Sequence, residues 1–215
     1  MIINRVMTKN PIFVHPDLPV NDARALMDKE RISRLPVLDK HLKLAGIVTK
    51  KDMLKAGPSP ATSLDMYEIS YLLSKLKIEK IMEKKVITVQ ENEVVEEAAR
   101  IMADHDISCL PVMKGELLVG IITGTDLFRV FVNAFGARHP GVRITLSLPE
   151  RPGQLAKLAG AIAEKGGNIV SFVSSEGDDL SFRRGTYKIA GISCAEVKAV
   201  VDNLHDTKLE DIREV

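Results

Sequence analysis

An internal repeat constrains the fold of this chain more than any other feature of its 215 residues. The segment "GIVTKKD" at residues 46–52 returns as "GIITGTD" at residues 120–126. The segment "ISRLPV", which starts at Ile32, returns as "ISCLPV", which starts at Ile107. Segments that recur in one order, here 74 and 75 residues apart, predict two copies of a single structural unit.

Each copy has the same order of predicted elements. A short strand, at residues 12–14 or 86–89, precedes an amphipathic helix whose apolar residues recur at helical spacing. Two short strands separated by a polar turn follow, and a second helix opens at Thr49 or Thr123. A β-α-β-β-α unit of about 50 residues is too small to bury both faces of its sheet alone, so we expect the two units to share one core.

The two copies resemble CBS motifs, and the pair resembles a tandem CBS (Bateman) module. The resemblance rests on three marks that occur in order in each copy: "VMT" or "IME", then "ISRLPV" or "ISCLPV", then Gly, two apolar residues and Thr-x-x-Asp. It implies a first CBS motif at residues 1–56, a linker helix at 57–76 and a second CBS motif at 77–135. The linker is apolar enough to be packed or to serve as a partner face.

The Thr-x-x-Asp sequence at the start of each second helix has two interpretations. Thr49 with Asp52, and Thr123 with Asp126, have the outline of a capping box. The same geometry suits a ligand, because free N–H groups at a helix start attract phosphate. A carboxylate about 5 Å further along the axis can accept both hydroxyls of a ribose. The two interpretations are compatible.

The CBS resemblance implies an adenosine ligand in each copy, with phosphate on the threonine and ribose on the aspartate. Adenine is expected between the first strand and the "ISRLP" or "ISCLP" segment. The first predicted site consists of Asn10, Ile12, Phe13, Ser33, Arg34, Pro36, Thr49, Lys51 and Asp52. The second consists of Lys85, Val86, Ile87, Ser108, Cys109, Pro111, Thr123, Thr125 and Asp126.

The two predicted sites differ in charge. Lys50 and Lys51 follow the threonine of the first, whereas Gly124 and Thr125 follow that of the second. Clustered cations favour phosphate, so we expect AMP, ADP or ATP in the first site, with Mg²⁺ only alongside ATP. The second is expected to take a less charged adenosine ligand or to stay empty, and S-adenosylmethionine is a further candidate. The alternative is that the lysines are merely an exposed helix start.

The sequence changes character after residue 141. Residues 142–215 follow the order β-α-β-β-α-β, which is typical of a ferredoxin-like domain. The segments "ERPGQLAKLA" and "GGNI" resemble an ACT domain, which implies side-by-side pairing and a small effector, often an amino acid. The residues implied for effector binding are Arg151, Gly153, Gln154, Leu155, Asn168 and Ile169. Turn geometry alone could explain Gly153 and Asn168.

The predicted fold class is therefore α+β (mixed α/β): a tandem CBS pair followed by a ferredoxin-like βαββαβ ACT domain. This combination resembles the acetoin utilization protein AcuB family. The resemblance implies a link with acetoin or acetyl-CoA metabolism, although architecture does not fix function.

Composition argues against several classes of partner. Thirty Lys and Arg balance 29 Asp and Glu, and there are only six Phe, three Tyr and no Trp, so neither a nucleic-acid nor a membrane surface is indicated. No apolar run approaches the ~18 residues of a membrane helix, and the first residues do not resemble a signal peptide. Cys109 and Cys194 lack metal-site spacing and are expected to be free thiols of a reducing, cytoplasmic compartment.

No recognised catalytic motif occurs in the sequence, and the two modules account for nearly the whole chain. We therefore expect a regulatory, non-enzymatic homodimer, paired through its CBS and ACT domains, that senses small molecules and acts on an unidentified protein. One alternative is a nucleotide-hydrolysing enzyme that uses Asp52 or Asp126 with Mg²⁺. Another is a structural dimer with empty sites.

Overall fold

The computed structural model describes residues 1–56, 65, 67–68, 71, 75–177 and 179–215. The chain divides into two compact units, Met1–Leu127 and Phe128–Val215. Most of the predicted linker helix at residues 57–76 lies outside the described residues. The predicted bounds of the CBS motifs, the linker and the ACT domain stay predictions.

The first unit contains both copies of the repeat. Its elements are a 3₁₀ turn at Ile3–Arg5, β1 (Thr8–Lys9), α1 (Val20–Lys29), β2 (Arg34–Leu38), β3 (Leu44–Thr49), α2 (Lys50–Ala56), a 3₁₀ turn at Ile78–Lys80, β4 (Val89–Gln90), α3 (Val95–Asp104), β5 (Cys109–Lys114) and β6 (Leu117–Thr123). Helix α4 (Gly124–Ala134) begins in this unit. The strand predicted at residues 12–14 is reduced to one bridge, from Val14 to Val37, and the one at 86–89 to the two residues of β4.

Each copy exchanges its first residues with the other copy. Strand β1 of the first copy pairs with β6 of the second, with Lys9 opposite Gly120, in a sheet ordered β1-β6-β5-β4. In return, Ile78 at the start of the second copy is fully buried in the core of the first. The first residues of each copy thus pack on the other copy. Neither copy has a complete core alone, as expected from its size.

The second unit has the predicted ferredoxin-like arrangement. Its elements are β7 (Val142–Pro149), α5 (Gln154–Glu164), β8 (Asn168–Glu176), β9 (Phe182–Ala190), α6 (Cys194–Asp202) and β10 (Lys208–Glu214). The strands form one antiparallel sheet ordered β10-β7-β9-β8. Alternate residues of β7, from Val142 to Leu148, are buried against Leu158 of α5 and Val197 of α6, so both helices cover the same face of the sheet.

Candidate functional site

A cavity of about 520 Å³ lies in the first unit where β3 meets α2. Its volume falls in the range of about 300–1,000 Å³ that is typical of small-molecule sites. The residues that line it are Ser33, Arg34, Ile47, Thr49, Lys50, Lys51, Asp52, Lys55, Glu83, Lys85, Val86, Ile87, Asp106, Ile107, Ser108, Cys109 and Pro111.

Thr49 and Asp52 form a reciprocal cap at the start of α2. The backbone N–H and the hydroxyl of Thr49 both donate to Oδ2 of Asp52, at 2.9 and 2.6 Å. The backbone N–H of Asp52 donates back to the Thr49 hydroxyl oxygen at 3.3 Å. The capping interpretation is therefore correct for this copy, and it uses one oxygen of the carboxylate.

The cap leaves the aspartate, rather than the threonine, available to a ligand. The hydroxyl proton of Thr49 is donated to Asp52, so its predicted donation to a phosphate would require this hydrogen bond to break. Oδ1 of Asp52 accepts no hydrogen bond from any residue that the structure describes. An ionised carboxylate oxygen with no donor can accept from hydroxyl groups of a ligand.

The cavity combines residues that the sequence had assigned to two different sites. It contains Ser33, Arg34, Thr49, Lys51 and Asp52 of the first predicted set together with Lys85, Val86, Ile87, Ser108, Cys109 and Pro111 of the second. The structure thus brings into one cavity residues that the sequence analysis had divided between the two copies.

The exchanged strands explain why the grouping changes. The backbones of Glu83 and Ile47 exchange two hydrogen bonds of 2.9 Å, which place the following residues, Lys85 to Ile87, beside the end of β3. Gly46 permits this approach, because a Cβ there would lie 2.6 Å from the sulfur of Met82 and 2.9 Å from the Glu83 carbonyl oxygen. The space beside Gly46 is therefore occupied by Met82.

The same contact occurs in the other direction. The Asn10 N–H donates to the Val119 carbonyl at 3.1 Å, and Met7 packs where a Cβ of Gly120 would be. The predicted first-site residues Asn10, Ile12 and Phe13 therefore follow a strand that pairs with the second copy, and they do not line the cavity at Asp52. Pro36 is buried in β2 and does not line it either.

Thr123, Thr125 and Asp126 also lie outside this cavity. The cap of the first copy is nevertheless repeated, since Thr123 donates to Oδ2 of Asp126 from its backbone at 2.9 Å and from its hydroxyl at 2.7 Å. The two aspartates differ in exposure: Asp126 is only 5% exposed, whereas Asp52 is half-buried.

The cavity at Asp52 has more cations than carboxylates. Its basic residues are Arg34, Lys50, Lys51, Lys55 and Lys85, and its acidic residues are Asp52, Glu83 and Asp106. Two of the cations have partners within the protein. Lys50 binds Asp28 at 2.5 Å, which lowers the pKa of that carboxyl, and Arg34 donates to the Ser108 hydroxyl at 2.8 Å. The lysines at 51, 55 and 85 form no ion pair with another described residue.

Cys109 faces this cavity as a neutral thiol. Burial raises the pKa of Cys109, and the nearby Arg34 opposes that effect only in part. Because the thiolate is the nucleophilic form, the raised pKa disfavours a role for Cys109 in covalent chemistry.

A second cavity, of about 380 Å³, lies in the ferredoxin-like unit. It includes the predicted effector residues Arg151, Gly153, Gln154 and Leu155 in the turn between β7 and α5. Asn168 and Ile169, predicted as the opposite wall, do not line it. They begin β8, beyond the far end of the 11-residue helix α5, and such a helix is about 16 Å long.

The opposite wall is formed instead by alternate residues of β8 and β9. These are Phe172 and Ser174 of β8 and Arg183, Gly185 and Tyr187 of β9. Alternation along a strand predicts that the β8 residues share one face and that the β9 residues share one face. It does not predict that these faces lie beside the β7–α5 turn. Tyr187 is 2% exposed, and its hydroxyl has no hydrogen-bond partner among the described residues. Burial raises the pKa of Tyr187 to about 12.

Comparison with known protein families assigns both units. The CBS domain model matches residues 3–59 and 78–133, and the TTHA0829-like ACT domain model matches residues 140–213. No helix among the described residues is long and apolar enough to span a membrane.

Individual proteins resemble mainly the CBS pair. The L-aspartate semialdehyde sulfurtransferase of Methanocaldococcus jannaschii is 33% identical over 131 residues, which cover 60% of this chain but only 23% of that protein. The crystal structure of the CBS domain pair of protein MJ0100, in complex with 5′-methylthioadenosine and S-adenosyl-L-methionine, aligns with a TM-score of 0.52 and 31% identity over 65% of this chain and 98% of that one.

A Vibrio cholerae protein assigned to acetoin utilization (AcuB) aligns with a TM-score of 0.53 and 30% identity, over 64% of this chain and 95% of that one. This likeness supports the AcuB-like resemblance of the sequence. Because the CBS model matches more than half of the residues, in two copies that adopt the expected fold, the chain belongs to the CBS domain family and carries an ACT domain after its CBS pair.

Proposed function

We propose that this protein is a regulatory sensor that binds an adenine nucleotide in the cavity at Asp52. One observation carries the proposal: the free oxygen of Asp52 lies in the same cavity as the lysines at 51, 55 and 85, which pair with no acidic residue in the described part of the chain. A hydroxyl acceptor beside clustered cations suits a ribose that bears phosphates.

The lining residues suggest how each part of a nucleotide would be held. Oδ1 of Asp52 would accept from the ribose hydroxyls, since Oδ2 serves the cap. Val86, Ile87 and Pro111 offer apolar surface to the adenine. The phosphates would extend toward the free lysines, with AMP, ADP and ATP as candidates and Mg²⁺ only alongside ATP. The MJ0100 CBS pair, with its two adenosine-containing ligands, supports the adenosine part.

The counterpart at Asp126 is proposed to bind a less charged adenosine ligand, such as S-adenosylmethionine, or to stay empty. Gly124 and Thr125 replace the two lysines there. Asn10, Ile12 and Phe13 are the residues proposed to complete this second site, because the strand before them pairs with β6. The nearly complete burial of Asp126 leaves little of its carboxylate accessible.

The ACT domain is proposed to bind an amino acid effector in the cavity at the β7–α5 turn. Regulation would then follow if each ligand prefers one of two arrangements of a homodimer. The AcuB likeness is the support for a cytoplasmic role linked to acetoin or acetyl-CoA metabolism, with an unidentified regulated protein as partner.

A regulatory role is proposed in preference to catalysis. The matched sulfurtransferase has an enzyme's name, but three quarters of its length lies outside the alignment with this chain. Incubation with ATP and Mg²⁺ would detect the alternative, a nucleotide hydrolase, as phosphate release.

Titration calorimetry with AMP, ADP, ATP and S-adenosylmethionine tests the nucleotide proposal. Asp52→Ala and Asp126→Ala are a matched pair, because each removes the same helix cap. We expect Asp52→Ala to weaken binding of the phosphorylated nucleotides about 10- to 100-fold, as for loss of hydrogen bonds to a charged group, and Asp126→Ala to leave it within about threefold. Equal loss in both variants would show that the cap, and not the free oxygen, matters.

A further inference from the structure

The cavity in the ACT domain is lined by the β7–α5 turn and by strands β8 and β9. It lies between the start of α5 and the face of β8 and β9 that the helices cover. Two of its features have no hydrogen-bond partner among the residues that the structure describes: the hydroxyl of Tyr187 and the first backbone N–H groups of α5.

The ring of Tyr187 points along the sheet toward the β7–α5 turn. Its hydroxyl lies over Gly185, where an added Cβ would be 2.7 Å from the oxygen. Leu148, next to the turn, pairs with Arg183, so moving from residue 187 to residue 185 along β9 approaches the turn. Phe172 stacks on the ring with a centroid distance of 4.7 Å and holds this orientation. The unpaired hydroxyl thus faces the cavity, and a buried hydroxyl without a partner lowers stability.

The start of α5 provides donors at the other end of the cavity. Gly153 precedes the helix with a φ of 88°, and no side chain caps the first turn, which also contains no acidic residue. Helix N–H groups and the helix dipole favour an anion at this point. Arg151 and Arg183 each use one nitrogen on a neighbouring carboxylate, that of Asp206 at 2.9 Å and that of Glu150, so their other N–H groups add to the backbone donors at this end of the cavity.

We infer that this cavity selects an amino acid with a hydroxyl or amide side chain, whose carboxylate binds the start of α5 and whose side-chain polar atom bonds the Tyr187 hydroxyl. The inference rests on the proposed effector role of the ACT domain and adds which side chains are selected. Leu148, Leu155 and Phe172 surround the space between the two polar ends and fit the short carbon skeleton of such a ligand.

Selection follows from the cost of leaving Tyr187 unpaired. A ligand with a hydroxyl or amide gives the buried oxygen its missing partner, whereas an aliphatic ligand of the same shape leaves it unsatisfied. Sites that hydrogen-bond a ligand reject isosteres that lack the group, while apolar sites do not distinguish isosteres strongly. We expect threonine to bind the intact protein about tenfold more tightly than its isostere valine.

Calorimetry on the full chain with L-threonine, L-valine, L-asparagine and L-leucine tests this selection. Tyr187→Phe should abolish the preference for threonine over valine and for asparagine over leucine, by weakening only the polar ligands. It should also preserve or raise the stability of the ligand-free protein in urea, which verifies that the variant folds. Tyr71→Phe is the matched control, because that side chain is 64% exposed, and it should retain the preference.

Three results would overturn the inference. Equal affinities for threonine and valine in the intact protein would show no selection by Tyr187. If Tyr187→Phe weakened all four ligands equally, the Tyr187 hydroxyl would bind the ligand carboxylate, which all four share, and not the ligand side chain. Absence of binding by all four would reject both the selection and the proposed effector role, and nucleotide titration of the same sample would show whether the CBS proposal survives independently.

Discussion

The two copies of the repeat have nearly the same helix cap but different surroundings. The distance from the threonine hydroxyl to the aspartate Oδ2 is 2.6 Å in the first copy and 2.7 Å in the second. The hydrogen bond from the threonine backbone N–H to the same oxygen is 2.9 Å long in both. The first cap lies in a cavity with free lysines, whereas in the second the aspartate is almost completely buried. The cap is therefore a property of the repeated fold, and differences in ligand must come from the residues beside it.

Removing the lysines at 51 and 85 tests most directly whether the residues beside the first cap select the ligand. Lys51→Met with Lys85→Met should weaken ATP binding about tenfold, because two cations in the cavity are lost, and should leave binding of 5′-methylthioadenosine unchanged. Calorimetry at two salt concentrations would measure both affinities, and the ATP difference should shrink at high salt.

The double variant Lys40→Met with Lys84→Met is the matched control. Both lysines are exposed and lie outside the cavity, and their substitution removes the same net charge as the cavity variant. If the control weakened ATP as much as the cavity variant, the effect would belong to the overall charge of the protein. If 5′-methylthioadenosine weakened in parallel with ATP, the lysines would not be phosphate ligands.

Gly46, which contacts Met82, and Gly120, which contacts Met7, should differ in how much an alanine substitution destabilises the protein. A Cβ at Gly46 would lie 2.9 Å from the Glu83 carbonyl oxygen, so backbone must move, whereas the nearest atoms at Gly120 all belong to the flexible Met7 side chain. We expect Gly46→Ala to lower the free energy of unfolding by about 2–3 kcal/mol and Gly120→Ala by about 1 kcal/mol, as for overpacking in a core. Urea denaturation measures both, and the reverse order would contradict the backbone argument.

These contacts also mark the limit of prediction from the sequence. Repetition and alternation were sufficient for the element order of both units, and Thr-x-x-Asp was sufficient for the caps. The exchange of strands was not predictable, because Met7 and Met82 occur at equivalent positions, and nothing in the repeat says whether each packs on the glycine of its own copy or of the other. That choice decides which residues share a cavity, so the sequence alone could not group the predicted site residues as the cavity does.

The opposite wall of the ACT cavity illustrates a second limit. Arg183, Gly185 and Tyr187 alternate, so their common face follows from the strand. The direction of the Tyr187 ring depends on the missing side chain at 185 and on Phe172 from a neighbouring strand. Such contacts depend on strand register, and the sequence of one strand does not determine it.

Removal of the cap hydroxyls should cost more in the second copy than in the first. Thr49→Val should lower the free energy of unfolding by about 1 kcal/mol, as is usual for loss of a cap. Thr123→Val should lower it by about 2 kcal/mol, since it takes a donor from a carboxylate that is buried in place of one that is half-buried. Urea denaturation of the pair, with the aspartates intact, measures this difference. Equal losses would show that burial of Asp126 does not strengthen its dependence on the cap.

The smallest expected effect distinguishes Tyr187 from the two other tyrosines, Tyr67 and Tyr71, which are exposed. Burial raises the pKa of Tyr187 to about 12, above its usual value of 10.0. Because the folded protein then holds this proton more tightly than the unfolded chain, stability contributed by the neutral phenol is present below pH 10 and is lost as the pH rises through 12. Absorbance of tyrosinate should show an ionisation step near pH 12, and Tyr187→Phe should remove that step. If Tyr187→Phe removed no step near pH 12, the cavity would admit enough water to hydrate the phenolate, and the unpaired hydroxyl would lose its selective role.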